Sequence, residues 1–235
     1  MAPCISVASL KGDCFLGRTM FQAFGFHGPE LSPLGDVMVD VGLVGLAFAL
    51  LTGTSVKRQE ILTLATLVVA TVALRVLMQP IPNVQPVTLC VLLVGSQLGA
   101  RRGMAFAVMV TLLSNMIIGD GWWTLFQAAG WSAVALLGSR LELGSTDSFR
   151  YGTLYAASFG SAFLFGAIAS LSILEPGMGL VDFAIYLAQG WPFDLLHALG
   201  NITFAAWFGL FVFRSLEADM SLEAIEQSVV EGHVT

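Results

Sequence analysis

Charge is what this sequence has least of. Asp, Glu, Lys and Arg make up 11% of its 235 residues, against about 25% in a soluble domain. Hydrophobic residues make up 56%, so the composition is that of an integral membrane protein. Cysteine is also sparse. Cys4, Cys14 and Cys90 stand apart, with no CxxC spacing and no Cys/His cluster. That spacing excludes a disulfide framework and a metal centre, and no cofactor is expected. No run of basic residues exists to hold a nucleic acid. No GxxxxGK[ST] loop exists to hold a nucleotide phosphate, so any ATP hydrolysis must come from other chains. The start shows no short basic segment followed by an apolar core and a cleavage site. Residues 1–35 read as a Gly/Pro-punctuated tail, with Met20 and Met38 as alternative starts. The net charge of −6 comes largely from a second tail, 215–235, which carries Glu217, Asp219, Glu223, Glu226 and Glu231 and reads as solvated cytoplasmic surface.

Long apolar runs are abundant. A helix needs roughly 20 apolar residues to cross a hydrocarbon core of about 30 Å. The runs predict seven spans, at 36–53, 60–78, 86–99, 102–118, 124–140, 150–174 and 191–213. The segment LVDFAIYLAQG, 180–190, reads as a short interfacial helix rather than a span. Lysine and arginine concentrate on the cytoplasmic side of membrane proteins. Lys57, Arg58, Arg101, Arg102, Arg140, Arg150 and Arg214 all fall on one side of these seven spans. The intervening loops, 79–86, 119–123 and 175–179, carry none. Lys11 and Arg18 are the misfits, well before the first span. The expected orientation is N-terminus outside and C-terminus inside.

Polar side chains gather at the outer level of the predicted spans. Arg75 ends the second span, Asn115 ends the fourth, and Trp123, Gln127 and Trp131 repeat every four residues along the fifth. Residues four apart share a helix face. Asp194, His197 and Asn201 form a stripe on the last span. Each has a plain alternative. Arg75 can snorkel to headgroups, Asp194 can sit in a first turn after Pro192, and the asparagines can tie helices together. Trp122 and Trp123 suit the membrane interface. Their shared depth instead predicts a pocket open to the outside, with aromatic walls and a few polar groups.

The block from Arg75 to Leu141 resembles the substrate-binding membrane subunit, or S component, of energy-coupling factor transporters. It carries the arginine, the proline-rich loop QPIPNVQP, the hairpin GARRG, the pair SN, the turn GDGWWTLFQ and the helix start GWSAVALLG. WPFDLLHALGNITFA, 191–205, is similar to the last helix of the same branch. The resemblance runs from about residue 60 to 214. Where that branch shows a lysine before the loop proline this chain has Gln85, and its GPWTP turn is GWWTL here. The resemblance implies an all-α membrane fold, with six helices forming the S-component-like domain 60–214 and an extra N-terminal helix at 36–53. It implies high-affinity binding of a vitamin-like small molecule from outside the plasma membrane of a prokaryote. It also implies pairing with a membrane coupling (T) subunit and two cytoplasmic ATPases. The implied ligand contacts are Arg75, Asn83, Gln85, Asn115, Asp120, Trp123, Gln127, Trp131, Asp194 and His197, with the loop Gln79–Pro86 as a lid. Asp120 also suits a purely structural role in its turn. The tryptophans and the missing lysine point to a ligand with a flat, weakly charged part. Docking in the family uses alanines four apart on the first helix. Thr66/Ala70 and Val69/Ala73 offer a comparable small-residue face. Gly95, Gly99, Gly103 and Ala107 form a second small-residue series, expected to serve close helix packing.

Three other classes fit less well. An intramembrane aspartyl protease needs GxGD, and residues 117–120 read Ile-Ile-Gly-Asp. Asp194 and His197 could act as an acid–base pair, but no nucleophile accompanies them. A scaffold of a multi-span assembly needs no ligand-sized pocket. A stand-alone carrier predicts an internal repeat, and the two halves show none.

Overall fold

The structure, a computed structural model, describes residues 21–25, 28–52, 58–174 and 177–232. It is mostly helical. Among the described residues, two short antiparallel strands, β1 (Phe21–Gly25) and β2 (Gly28–Leu31), precede seven α-helices. These are α1 (Pro33–Leu51), α2 (Arg58–Leu77), α3 (Val87–Leu98), α4 (Ala100–Ile118), α5 (Trp123–Gly138), α6 (Tyr151–Ala169) and α7 (Leu180–Gly232). The expected tail therefore contains a hairpin. A mis-assigned start falls largely on residues 1–20, which lie outside the described residues.

Local chemistry sets the boundaries. Ser32 caps α1 by accepting from Gly35 N–H at 3.1 Å, Pro33 occupies the first turn, and Asp36 faces the positive end of the helix dipole. Gly99 takes φ +84° between α3 and α4, a conformation open to glycine at little cost. α7 passes through Pro192 without ending. The segment 180–190 is thus not a separate interfacial helix but the first turns of α7. At the other end α7 continues past Arg214 to Gly232, so the acidic tail is helical over most of its length.

All seven predicted spans are helices, but five are long and apolar enough to cross a membrane. α3 and α5 are the exceptions among the described residues. At 12 residues α3 rises about 18 Å, short of the hydrocarbon thickness. Its length is not set by lipid, because Val87–Gly95 are all buried inside the bundle. α3 packs against α4, α5 and α7. Glycine makes this approach possible. A Cβ at Gly95 would lie 2.3 Å from the Ala135 carbonyl oxygen, one at Gly103 2.8 Å from the Gly95 Cα, and one at Gly138 2.4 Å from the Leu92 carbonyl oxygen. Of the expected packing series, Gly95 and Gly103 serve close helix contact, while Gly99 serves the turn and has nothing within 4 Å of its Cβ position.

α1 is part of the bundle. Val39, Leu43 and Ala47, four residues apart, pack with Val108, Leu112 and Ala128 of α4 and α5. Its remaining faces expose Val37, Val41, Val44 and Phe48, suited to lipid. One end of the bundle is basic. Arg101 donates to the Ala49 and Thr52 carbonyls at 3.3 and 2.7 Å, and Arg102 pairs with Glu60 at 2.7 Å. Ser96 reaches the Leu141 carbonyl, Phe149 packs on Phe213, and Thr146 bonds Glu217. These contacts bring Arg101, Arg102, Arg140, Arg150 and Arg214 to the same end, as the loop charges predicted. Lys57 lies outside the described residues.

Gly95→Ala is expected to destabilise the protein by about 1–3 kcal/mol, because the methyl group has no space against Ala135. Gly45→Ala on α1, where nothing lies within 4 Å, is expected to leave stability close to unchanged. Thermal unfolding of the two variants in detergent reads the difference.

Candidate functional site

A cavity of about 780 Å³ opens at the end of the bundle away from the arginines. Its floor is a polar network centred on Arg75, near the C-terminus of α2. Arg75 is 5% exposed. Its Nε donates to Gln85 Oε1 at 3.1 Å, its Nη1 to Asn115 Oδ1 at 2.8 Å and to Ser114 Oγ, and its Nη2 to Gln127 Oε1 at 3.2 Å. Its plane carbon stands 4.8 Å from the centroid of the Trp131 ring, a cation–π contact. Every acceptor is neutral.

Asn115 ties the network to α5. Its Nδ2 donates to Thr124 Oγ1 at 2.8 Å and to Gln127 Oε1 at 2.9 Å. Thr124 donates onward to Asp120, which also accepts from Gly121 N–H at 2.8 Å. Asp120 thus holds the α4–α5 turn. Gly119 sits at φ +139° in that turn, a region essentially restricted to glycine. A Cβ at Gly121 would come within 2.4 Å of the Trp123 ring, so the missing side chain lets this indole lie against the turn. The paired tryptophans part here. Trp123 faces the cavity, while Trp122 packs edge-on with Phe126 and joins the cluster around α1.

A second series of contacts crosses to α6 and α7. Trp131 stacks on Phe165 at 4.4 Å, and Phe165 meets His197 edge-on at 5.5 Å. Gly130 leaves the room that Phe165 occupies. Trp131 Nε1 donates to Thr88 Oγ1 at 3.3 Å, and Thr88 shares a hydrogen bond with His197 Nε2 at 3.0 Å. The far wall comes from the N-terminal part of α7, with Tyr186, Gln189, Phe193 and Asp194. The loop 79–86 contributes Gln79, Pro82 and Asn83. Asn83 has φ +58°, tolerated by asparagine better than by most residues.

No family model, curated protein or solved structure matches this chain. The site therefore rests on its own geometry.

Of the residues singled out from sequence, Arg75, Asn83, Asn115, Trp123, Gln127, Asp194 and His197 line one cavity. Gln85, Asp120 and Trp131 do not. Gln85 stands behind Arg75 as its acceptor, Asp120 is engaged by its own turn, and Trp131 is 3% exposed beneath the guanidinium. Trp123, Gln127 and Trp131 do share a face of α5, but that face descends from the cavity into the core. Asn201 continues the stripe below the cavity, where it donates to the Ser158 carbonyl at 3.1 Å and joins α7 to α6. The first turns of α7 were missed as a wall. Tyr186, Gln189, Phe193 and His197 recur at helical spacing, a signal that becomes legible once Pro192 is allowed inside the helix. Thr88, Ser114 and Thr124 were also missed. Short hydroxyls in apolar helices usually bond their own backbone; Ser114 does so to Val110 and Thr111, and all three also accept from a side chain, Arg75, Asn115 or Trp131.

Asn115→Ala is expected to cost about 2 kcal/mol, since it strands partners on Arg75, Thr124 and Gln127. Asp120→Ala is expected to cost about 1 kcal/mol, because it frees Gly121 N–H, Thr124 and the Asp40 side chain of α1 from a shared partner. Denaturant unfolding in detergent reads both.

Proposed function

We propose that this protein is the substrate-binding membrane subunit of an energy-coupling factor transporter, with the cavity as the site for a vitamin-like small molecule. The observation that carries this reading is the cavity itself. It is ligand-sized, lies at one end of the bundle, and combines aromatic walls with a fixed polar floor, as small-molecule sites do. Seven residues of the family-like pattern line it. In this reading the cavity faces outward and the arginine-rich end faces the cytoplasm, following the positive-inside rule. Helices α2–α7 form the S-component-like domain and α1 is an additional span.

Energy then comes from partners, a membrane coupling subunit and two ATPases. Ala65, Thr66, Val69, Ala70 and Ala73 are exposed on α2 and offer a face for close helix contact. A scaffold role leaves the cavity and its network without purpose. A catalytic role gains little from Asp194 and His197, which share no hydrogen bond; His197 is engaged with Thr88.

Native mass spectrometry of the chain, gently purified from a host grown in rich medium, is expected to show a retained small molecule. Changing Trp123 and Gln127 together to alanine removes two cavity walls and is expected to release it. Affinity capture is expected to bring down the coupling subunit and ATPases, and Ala73→Leu on α2 to weaken that capture. A chain that retains nothing and captures no ATPase would sink the transporter reading in favour of a scaffold.

A further inference from the structure

Two charged side chains face the cavity, and no ion pair among the described residues neutralises either. Arg75 is bonded to amide and hydroxyl oxygens and forms no ion pair among the described residues. Four N–H···O contacts leave one of its five N–H groups unused. Asp194 projects from the opposite side of the network, on α7, with no hydrogen bond or ion pair among the described residues. Its carboxylate occupies a recess over α6. A Cβ at Gly166 would stand 2.2 Å from Oδ1 and 2.9 Å from Oδ2, so only glycine leaves that recess open. The contacts from one charge to the other run through Arg75, Trp131, Phe165, Gly166 and Asp194. The two are held apart by an aromatic stack and do not neutralise each other.

An unpaired charge in a low-dielectric site is costly. A ligand carrying a single charge would pair one of these groups and leave the other unpaired as water is expelled. A ligand carrying both would pair each. We infer that the cavity takes a dipolar ligand, a flat ring bearing an anionic group for Arg75 and a cationic nitrogen for Asp194. This rests on the binding role proposed above and refines it: the ligand's weak net charge conceals two full charges. Trp123, Phe165, Tyr186 and Phe193 supply aromatic side chains along the cavity wall.

Three probes that share an indole ring separate the charges. L-tryptophan carries both, tryptamine the cation only and indole-3-propionate the anion only. Calorimetric titration of the full chain in detergent is expected to rank tryptophan about tenfold or more tighter than either. Asp194→Asn is expected to erase its advantage over indole-3-propionate. Gly166→Ala is expected to do the same by filling the recess, while favouring helix α6. The inference is overturned if a single-charge probe matches tryptophan on the unaltered chain. It is overturned equally if both variants keep the original ranking, or if tryptophan at millimolar concentration does not bind. A single-charge winner leaves the binding role standing. Failed ATPase capture strikes the transport reading and leaves the probe ranking untouched.

Discussion

A guanidinium buried inside an apolar helix bundle must find acceptors, and the cavity end of this protein is arranged around that demand. Arg75 draws Gln85 from the loop, Ser114 and Asn115 from α4, and Gln127 from α5. Beneath it lies the Trp131 ring. Because the acceptors come from the loop, α4 and α5, satisfying one cation on α2 fixes the relative position of three helices and a loop. Buried polar networks specify structure in this way only when their members are satisfied. The asparagine between them is the junction, serving Arg75 with its oxygen and α5 with its nitrogen.

Packing below the network explains why there is room above it. α3, α4 and α5 meet through Gly95, Gly103 and Gly138 at distances no side chain would allow. α3 is short and wholly enclosed, so it needs no lipid-matched length. The proline-rich loop that precedes it lines the cavity, and the depth it leaves unfilled is enclosed by α5, α6 and the start of α7. Close packing in one half of the bundle and an open cavity in the other are thus two results of the same short helix.

Legibility followed physical range. The helices were readable because their signal is a run of apolar residues. The common end of the arginines was readable because loop charge alternates with each crossing. Arg75, Asn115 and Gln127 were readable because a polar group within an apolar run needs a reason. The wall formed by Tyr186 and Gln189 was not, because Pro192 suggests a break and α7 continues through it. Gln85, Asp120 and Trp131 have the composition of ligand contacts. Whether such a residue touches a ligand or supports one that does depends on a few ångströms of depth, which spacing does not encode.

The sequence by itself determined that the chain carries helices apolar enough for a membrane, where those helices run, and which loops share an end. These follow from hydrophobicity and helical period, properties of neighbours along the chain. Only the tertiary structure decided that α1 joins the core, that Trp122 and Trp123 face different ways, and that Asp194 lies over Gly166 across an aromatic stack from Arg75. Those outcomes depend on how backbones approach, and the approach is set by missing side chains at glycines far apart in the chain.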